Sequence, residues 1–297
     1  MTKLIIITGL TGSGKSGLAV KIAKEFNGEI ISADSVQIYK GLDIGSAKED
    51  KSTMSKICHH LIDIKNFNET FNVGEFISET KKAIDSIVKK GKLPIIVGGT
   101  GMYVKALLEG YSLGETTANE ELRTHYQNMA ENEGNLAVWN ELNKINPTLA
   151  STVHPNNLKR VIRYIEISTT DNKLTTTESI LKDFKVCSVG IIADREEIYS
   201  KINKRVDLML EMGLEKEVKN LISLGATRDM QAFNSIGYKE WFDYFEGKID
   251  KQTTIDLIKQ HTRNYCKRQL TFLKTIKDIN LCSLTEAEDK IRRFLND

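Results

Sequence analysis

The octapeptide Gly9-Leu10-Thr11-Gly12-Ser13-Gly14-Lys15-Ser16 fits G-x-x-x-x-G-K-[ST], and it follows the unbroken apolar run Leu4-Ile5-Ile6-Ile7. A buried strand that enters a glycine-rich turn and leaves as a helix allows few folds. It predicts an α/β core in which a parallel sheet delivers the turn to its carboxyl edge. Gly9, Gly12 and Gly14 let the backbone wrap closely around an anion with its N–H groups turned inward. Lys15 adds a mobile positive charge, and Ser16 a hydroxyl for a magnesium ion. The helix running on to Phe26 aims its positive dipole end at the same point. The pattern specifies phosphate or diphosphate. It does not specify ATP.

The rest of the chain is consistent with that core. Strands are predicted at Leu4–Thr8, Glu29–Ala33 and Leu93–Val97, alternating with helices at Lys15–Phe26, Val73–Lys90 and Gly99–Glu109. A long loop carries Asp43 and His60. Runs such as Pro94-Ile95-Ile96-Val97 lack polar alternation, as strands covered on both faces do. Between Ser112 and Lys185 the strand pattern vanishes, and helical periods appear at Glu120–Glu133, Leu136–Asn143, from Pro147, and at Asn156–Ile167. A buried strand then returns at Val186–Ala193. Asp194 opens a long helix with Glu196 and Glu197 in its first turn, and a late strand lies at Ile279–Ser283. The expected organisation is therefore a P-loop NTPase-like core begun by residues 1–112, an all-helical insertion over 113–185, and a core completed by 186–297 with basic C-terminal helices.

No apolar run in the 297 residues approaches the roughly 20 needed to span a membrane, and the N-terminus enters a strand without a leader pattern. Cys58, Cys187, Cys266 and Cys282 form no C-x-x-C pair, which argues against a disulfide framework and for a reducing cytoplasm. Cys58-His59-His60 is not expected to hold zinc, since adjacent residues rarely converge on one ion without further ligands. The net charge of +2 selects no partner, but its distribution does. Lys259, Arg263, Lys267, Arg268, Lys274 and Lys277 occupy one acid-free stretch, and Lys144, Lys159, Arg160 and Arg163 another. Each alone suits a solvated helix face. Both, in a chain that already handles an anion, favour a polyanionic partner.

Asp34 follows the second strand and so lies at the carboxyl edge beside the phosphate loop, as a base, an acceptor or a turn cap. Gln37 carries an amide able to pair bidentately with an adenine edge. The strand Pro94–Val97 ends in Gly98-Gly99-Thr100-Gly101, not in the acid that nucleotide hydrolases place there. Thr100 brings a hydroxyl to that edge, or simply caps the next helix.

These segments resemble the tRNA dimethylallyltransferases, in the same order. The resemblance runs through Gly9–Ser16, Ile31–Tyr39, Asp43–Lys48, His59–Asp63 and Val97–Tyr103. It continues through His154-Pro155-Asn156-Asn157 with Arg160 and Arg163, Asp194-Arg195-Glu196, Arg205-Val206-Asp207, Ile236-Gly237-Tyr238 and Lys267–Thr271, and so covers nearly the whole chain. Departures are few: Ser46 and Glu49 stand where the family has Thr and Pro, and Thr169–Lys173 lacks a glycine. None is expected to touch the chemistry, although the last alters a loop near the RNA.

The resemblance implies a bacterial-type enzyme that moves a dimethylallyl group from dimethylallyl diphosphate to N6 of the adenosine 3′ to the anticodon. It implies that Gly9, Leu10, Thr11, Gly12, Ser13, Gly14, Lys15 and Ser16 hold the diphosphate, with Mg2+ on Ser16 and assistance from Arg195 or Arg205. It makes Asp34, Thr100 and Lys15 catalytic. It assigns Asp34, Ser35, Val36, Gln37, Thr100, Arg123, Lys159, Arg160, Val161, Ile162 and Arg163 to the tRNA. The helical insertion would clamp an anticodon loop whose adenine is swung out. A monomer in the cytoplasm is expected. Three alternatives remain at this point: a small-molecule kinase with the insertion as its lid, a prenyltransferase acting on free adenylate, and a non-catalytic RNA-binding module. The helical insertion and the basic C-terminal helix favour the tRNA enzyme over the kinase.

Overall fold

The computed structural model describes residues 1–110, 119–169 and 178–297. Six strands occur among them: β1 (Thr2–Gly9), β2 (Gly28–Ser32), β3 (His59–His60), β4 (Leu93–Gly98), β5 (Phe184–Ile191) and β6 (Asn280–Cys282). They form one sheet in the order β3-β2-β4-β1-β5-β6, and every pairing is parallel. The first helices are α1 (Lys15–Glu25), α2 (Lys51–Lys56), α3 (Val73–Lys89) and α4 (Gly101–Glu109). Next come α5 (Glu120–Glu133), α6 (Asn135–Ile145), α7 (Pro147–Ala150) and α8 (Leu158–Thr169). After β5 follow α9 (Arg195–Glu211), α10 (Leu214–Ser223), α11 (Lys239–Phe245), α12 (Lys251–Leu273) and α13 (Leu284–Asn296).

The expected parallel α/β core is what the chain forms. Strand side chains alternate between faces. Leu4 and Ile6 join Ile31 and Ile96 in the core on one face, while Ile5 and Ile7 join Ile30, Ile95 and Val189 on the other. All four residues of that β1 run are fully buried, so the sheet carries helices on both sides. On the second face α1 contributes Leu18, Ala19 and Ile22, and α13 contributes Ala287 and Ile291. Register sets the functional edge. Thr8 pairs with Gly98, Ser32 with Val97 and Gly9 with Ile191, so β1, β2, β4 and β5 all end at one level.

The loop expected between Asp43 and His60 holds two short elements. Asp50 caps α2 by accepting from the Thr53 N–H at 2.9 Å, and β3 is a two-residue strand paired to Ile30 and Ile31. Neither is long enough to show a period in sequence.

Residues 1–109 and 179–297 form one compact unit and residues 110–178 a second. The second unit is helical where it is described. Its core is made by Val138 and Leu142 of α6, Ala150 of α7, Val153, and Val161, Ile162 and Ile165 of α8. Ser179–Lys185, read from sequence as the end of the insertion, belong to the first unit. Leu181 enters its core, and the Ser179 hydroxyl donates to the Leu107 carbonyl at 2.6 Å. The insertion's expected start at 113, and residues 170–173 of the tract noted for its missing glycine, lie outside the described residues.

Candidate active site

At the carboxyl edge of the sheet a cavity of about 350 Å³ opens, lined entirely by the first unit. The phosphate loop forms one wall. Gly12 and Gly14 have φ of 82° and 87°, which side chains rarely tolerate, and Gly14 opens α1 without a side-chain cap. The first N–H groups of α1 are thereby left for an anion. Lys15 bends back so that Nζ donates to the Leu10 carbonyl at 3.3 Å. Burial, and then the charge of Arg205, lower its pKa to about 8. Ser16 also lines the cavity, and its hydroxyl has no hydrogen-bond partner among the described residues.

The opposite wall comes from the ends of β2 and β4. Asp34 Oδ1 accepts from the N–H groups of Val36 at 2.9 Å and Gln37 at 3.3 Å, so the carboxylate caps its own turn. Its other oxygen has no hydrogen-bond partner among the described residues. Thr100 Oγ1 accepts from Ser35 N–H at 3.2 Å and lies 3.5 Å from Ser35 Oγ. The hydroxyl thus ties β4 to the Asp34 turn and does not cap α4. The Thr100 N–H donates to the Ala33 carbonyl at 3.3 Å. Gly98 admits no side chain, because a Cβ there would collide with the Ala33 carbonyl. An acid at Gly98, the last residue of β4, would force the backbone to shift.

Arg205 of α9 lines the same cavity, near enough for the charge of Asp34 to act on both Arg205 and Lys15. Arg195 is absent from the lining and stacks on Tyr199 with its guanidinium 5.1 Å from the ring centre. From α12 the buried Gln269 reaches in. Its Oε1 accepts from Thr11 N–H at 2.9 Å and Thr11 Oγ1 at 3.1 Å, while Nε2 donates to the Gly99 carbonyl at 2.9 Å. Tyr265, pushed up to about 12 by burial and by Asp34, donates to the same carbonyl at 3.3 Å. Gln269 was visible in sequence only as part of Lys267–Thr271, with no role attached.

Several expected site residues lie elsewhere or are differently engaged. Gln37 lines the cavity, but its Oε1 accepts from Ser32 Oγ at 2.9 Å and its Nε2 donates to the Ser46 and Ala47 carbonyls at 3.3 and 3.2 Å. An adenine edge would have to compete with those bonds. Ser46 and Glu49, expected to stay clear of the chemistry, both line the cavity. In the second unit, Val161 and Ile162 are 0% and 4% exposed. The helical period turns both side chains into the core, so they offer no side-chain surface to a tRNA. Arg123 Nε and Arg163 Nη1 both bond the buried Glu166, at 2.7 and 3.0 Å. Lys159 and Arg160 face solvent. Arg160 Nε donates to Tyr164 Oη at 2.9 Å.

Cys58, His60 and buried Glu29 come together at the other end of β2, near enough to share an ion. Glu29 already accepts from Lys92 at 2.8 Å, Lys90 at 3.1 Å and His60 at 2.7 Å. Two ammonium groups on one carboxylate oppose a dication.

The family model for IPP transferase matches residues 37–276. The chain belongs to that family. Among its relatives, the tRNA dimethylallyltransferase of Alkaliphilus oremlandii is 43% identical over 99% of this chain and 96% of that protein. The full-length tRNA isopentenylpyrophosphate transferase of Bacillus halodurans is similar in structure, with a TM-score of 0.73 and 38% identity, covering 100% of this chain and 96% of that one. A eukaryotic dimethylallyltransferase solved in the act of working on tRNA gives 0.78 at 27% identity, over 99% of this chain and 78% of that one. The IPP transferase match begins beyond the phosphate loop and Asp34, whereas the full-length relatives span both.

Proposed function

We propose that this protein transfers the dimethylallyl group of dimethylallyl diphosphate to N6 of the adenosine 3′ to the anticodon of tRNA. The observation that carries this reading is one cavity lined by a phosphate loop, a carboxylate and a hydroxyl, with no acid on β4 to serve nucleotide hydrolysis. The bond formed is N6–C1; the bond broken joins C1 to the bridging oxygen. Pyrophosphate leaves with the electron pair, and the amine's proton passes to the unpartnered oxygen of Asp34. Lys15, Arg205 and the N–H groups at the start of α1 balance the charge that develops on the leaving group. Thr100, which bonds Asp34's turn through Ser35 and lines the same cavity as Lys15, is assigned to the side of the reacting carbon in this reading. Ser16 would hold a magnesium ion, since its hydroxyl lines the cavity at the start of α1, beside the diphosphate cradle. Such an ion would supply charge neutralisation to the leaving group.

Lys159 and Arg160 are the solvent-facing cations of α8 suited to RNA phosphates. A monomer working in the cytoplasm belongs to this reading, in keeping with four cysteines that form no disulfide. The test mixes the protein with labelled dimethylallyl diphosphate and unmodified tRNA, and in parallel with AMP or ATP. Label is expected on a single adenosine of the anticodon loop, with pyrophosphate released and no ADP. Label on free adenylate, or ADP formed in step with product, overturns the proposal.

A further inference from the structure

Behind the cavity and outside its lining, Glu217 in the first turn of α10 accepts four hydrogen bonds. Oε2 takes the N–H groups of Asp43 at 3.2 Å and Ile44 at 2.8 Å; Oε1 takes Gly45 N–H at 3.2 Å and Tyr238 Oη at 2.8 Å. Three consecutive amides converging on one carboxylate form an anion nest, filled here by the protein's own side chain. The two partners belong to different walls of the cavity. Gly45, Ser46 and Ala47 line one, and Ser235, Ile236 and Gly237 line the other, while neither Glu217 nor Tyr238 is part of the lining. A side chain at Gly45 would strike the Tyr238 ring at 2.5 Å, so the segments are in close contact. The first wall also holds Gln37 by the Ser46 and Ala47 carbonyls, and Gln37 N–H donates to Asp34 Oδ1. One carboxylate therefore fixes two walls and, through Gln37, the turn that aims Asp34.

We infer that Glu217 is a positioning residue for the acceptor side of the cavity, an inference that rests on the transfer proposed above. It sets where the acceptor base sits relative to Asp34 and does not touch the diphosphate site. In Glu217→Gln the side chain keeps one acceptor oxygen, and its NH2 must face N–H groups that it cannot accept. Lys48 still pins the loop from its other side, through Asp43 and Asp63 at 2.7 and 2.6 Å, so the variant keeps its fold.

The experiment uses the full chain, an anticodon stem-loop and labelled dimethylallyl diphosphate, with folded sites counted by pyrophosphate binding. Turnover per site in Glu217→Gln is expected to fall about 10- to 100-fold, as a misaligned reactant pair does, with KM for the RNA raised and KM for the diphosphate unchanged. Tyr238→Phe, which removes one donor of the four, should move the same parameters less. A loss confined to the number of pyrophosphate-binding sites, with turnover per site and KM for RNA intact, overturns the inference. Should Glu217→Gln bind no pyrophosphate, Tyr238→Phe decides, and wild-type kinetics there overturns it too. Wild-type protein that labels no RNA defeats the proposed reaction itself, and the inference with it.

Discussion

At Asp34 two tasks are divided between two oxygens. Oδ1 holds the turn at Val36 and Gln37, and the other is left for chemistry. Asparagine can keep the first task and lose the second. Asp34→Asn is expected to retain fold and RNA affinity while turnover falls about 10²- to 10⁴-fold, the span of a lost general base. Near-normal turnover in a single-turnover assay would remove Asp34 from the reaction. Lys15 supplies a second test, because burial brings its pKa to about 8. A bound diphosphate favours the charged amine, so affinity is full below that pH and weakens as pH rises through it, by up to about tenfold per unit. Pyrophosphate titrations of wild type and Lys15→Met across this range check it. The ligand's own ionisation cancels in the comparison, and equal slopes would show that Lys15 is not the group titrating. In sequence, strand ends and glycines were enough to place the loop, Asp34 and Thr100 on one edge. Gln37's commitment to the Ser46 and Ala47 carbonyls was not readable, because a free amide and an occupied one are spelled alike. Glu217 carried no signal in sequence for the same reason.

Among elements, α8 is the instructive one. Its polar face carries Lys159, Arg160 and Arg163, and its apolar face Val161, Ile162 and Ile165. Glu166 is 2% exposed; burial alone would raise its pKa, but bonds from Arg123 and Arg163 more than offset this and hold it low. Arg163→Ala is therefore expected to cost about 1 kcal/mol of stability, a charged hydrogen bond discounted for partial exposure, and to leave the salt dependence of RNA binding parallel to wild type. Arg160→Ala should flatten the slope of log affinity against log salt by about one phosphate contact. Stem-loop titrations at several salt concentrations separate the two; the reverse pattern would make Arg163 the RNA contact. Long elements were legible because their periods repeat: the bare Leu4–Ile7 run could only be a covered strand, and Asp194 marked the start of α9, where it accepts from Glu196 N–H at 2.8 Å. The six residues of α2 and two of β3 carry no period; the Asp50 cap starts the first, and pairing with β2 makes the second. The spacing of 161, 162 and 165 was available too, and would have sent Val161 and Ile162 inward.

On the scale of the whole molecule, the phosphate loop is held by a residue far along the chain. Gln269 lies 258 positions beyond Thr11 and bonds both that loop and Gly99. Gln269→Ala leaves a buried amide hydrogen and weakens the hold on a buried carbonyl, at a cost of about 2 kcal/mol. For a unit of this size the expected fall in Tm is roughly 4–8 °C, together with weaker pyrophosphate binding. Calorimetry and pyrophosphate titration check both, and a variant unchanged in either would release Gln269 from this role. Synthesis proceeds from the other end. At roughly 5–20 residues per second, a ribosome that has made Thr11 needs on the order of 10–50 s more to make its partner. For that interval a nascent chain has a finished octapeptide and an open cradle, and donor-binding competence comes in the last seconds of translation.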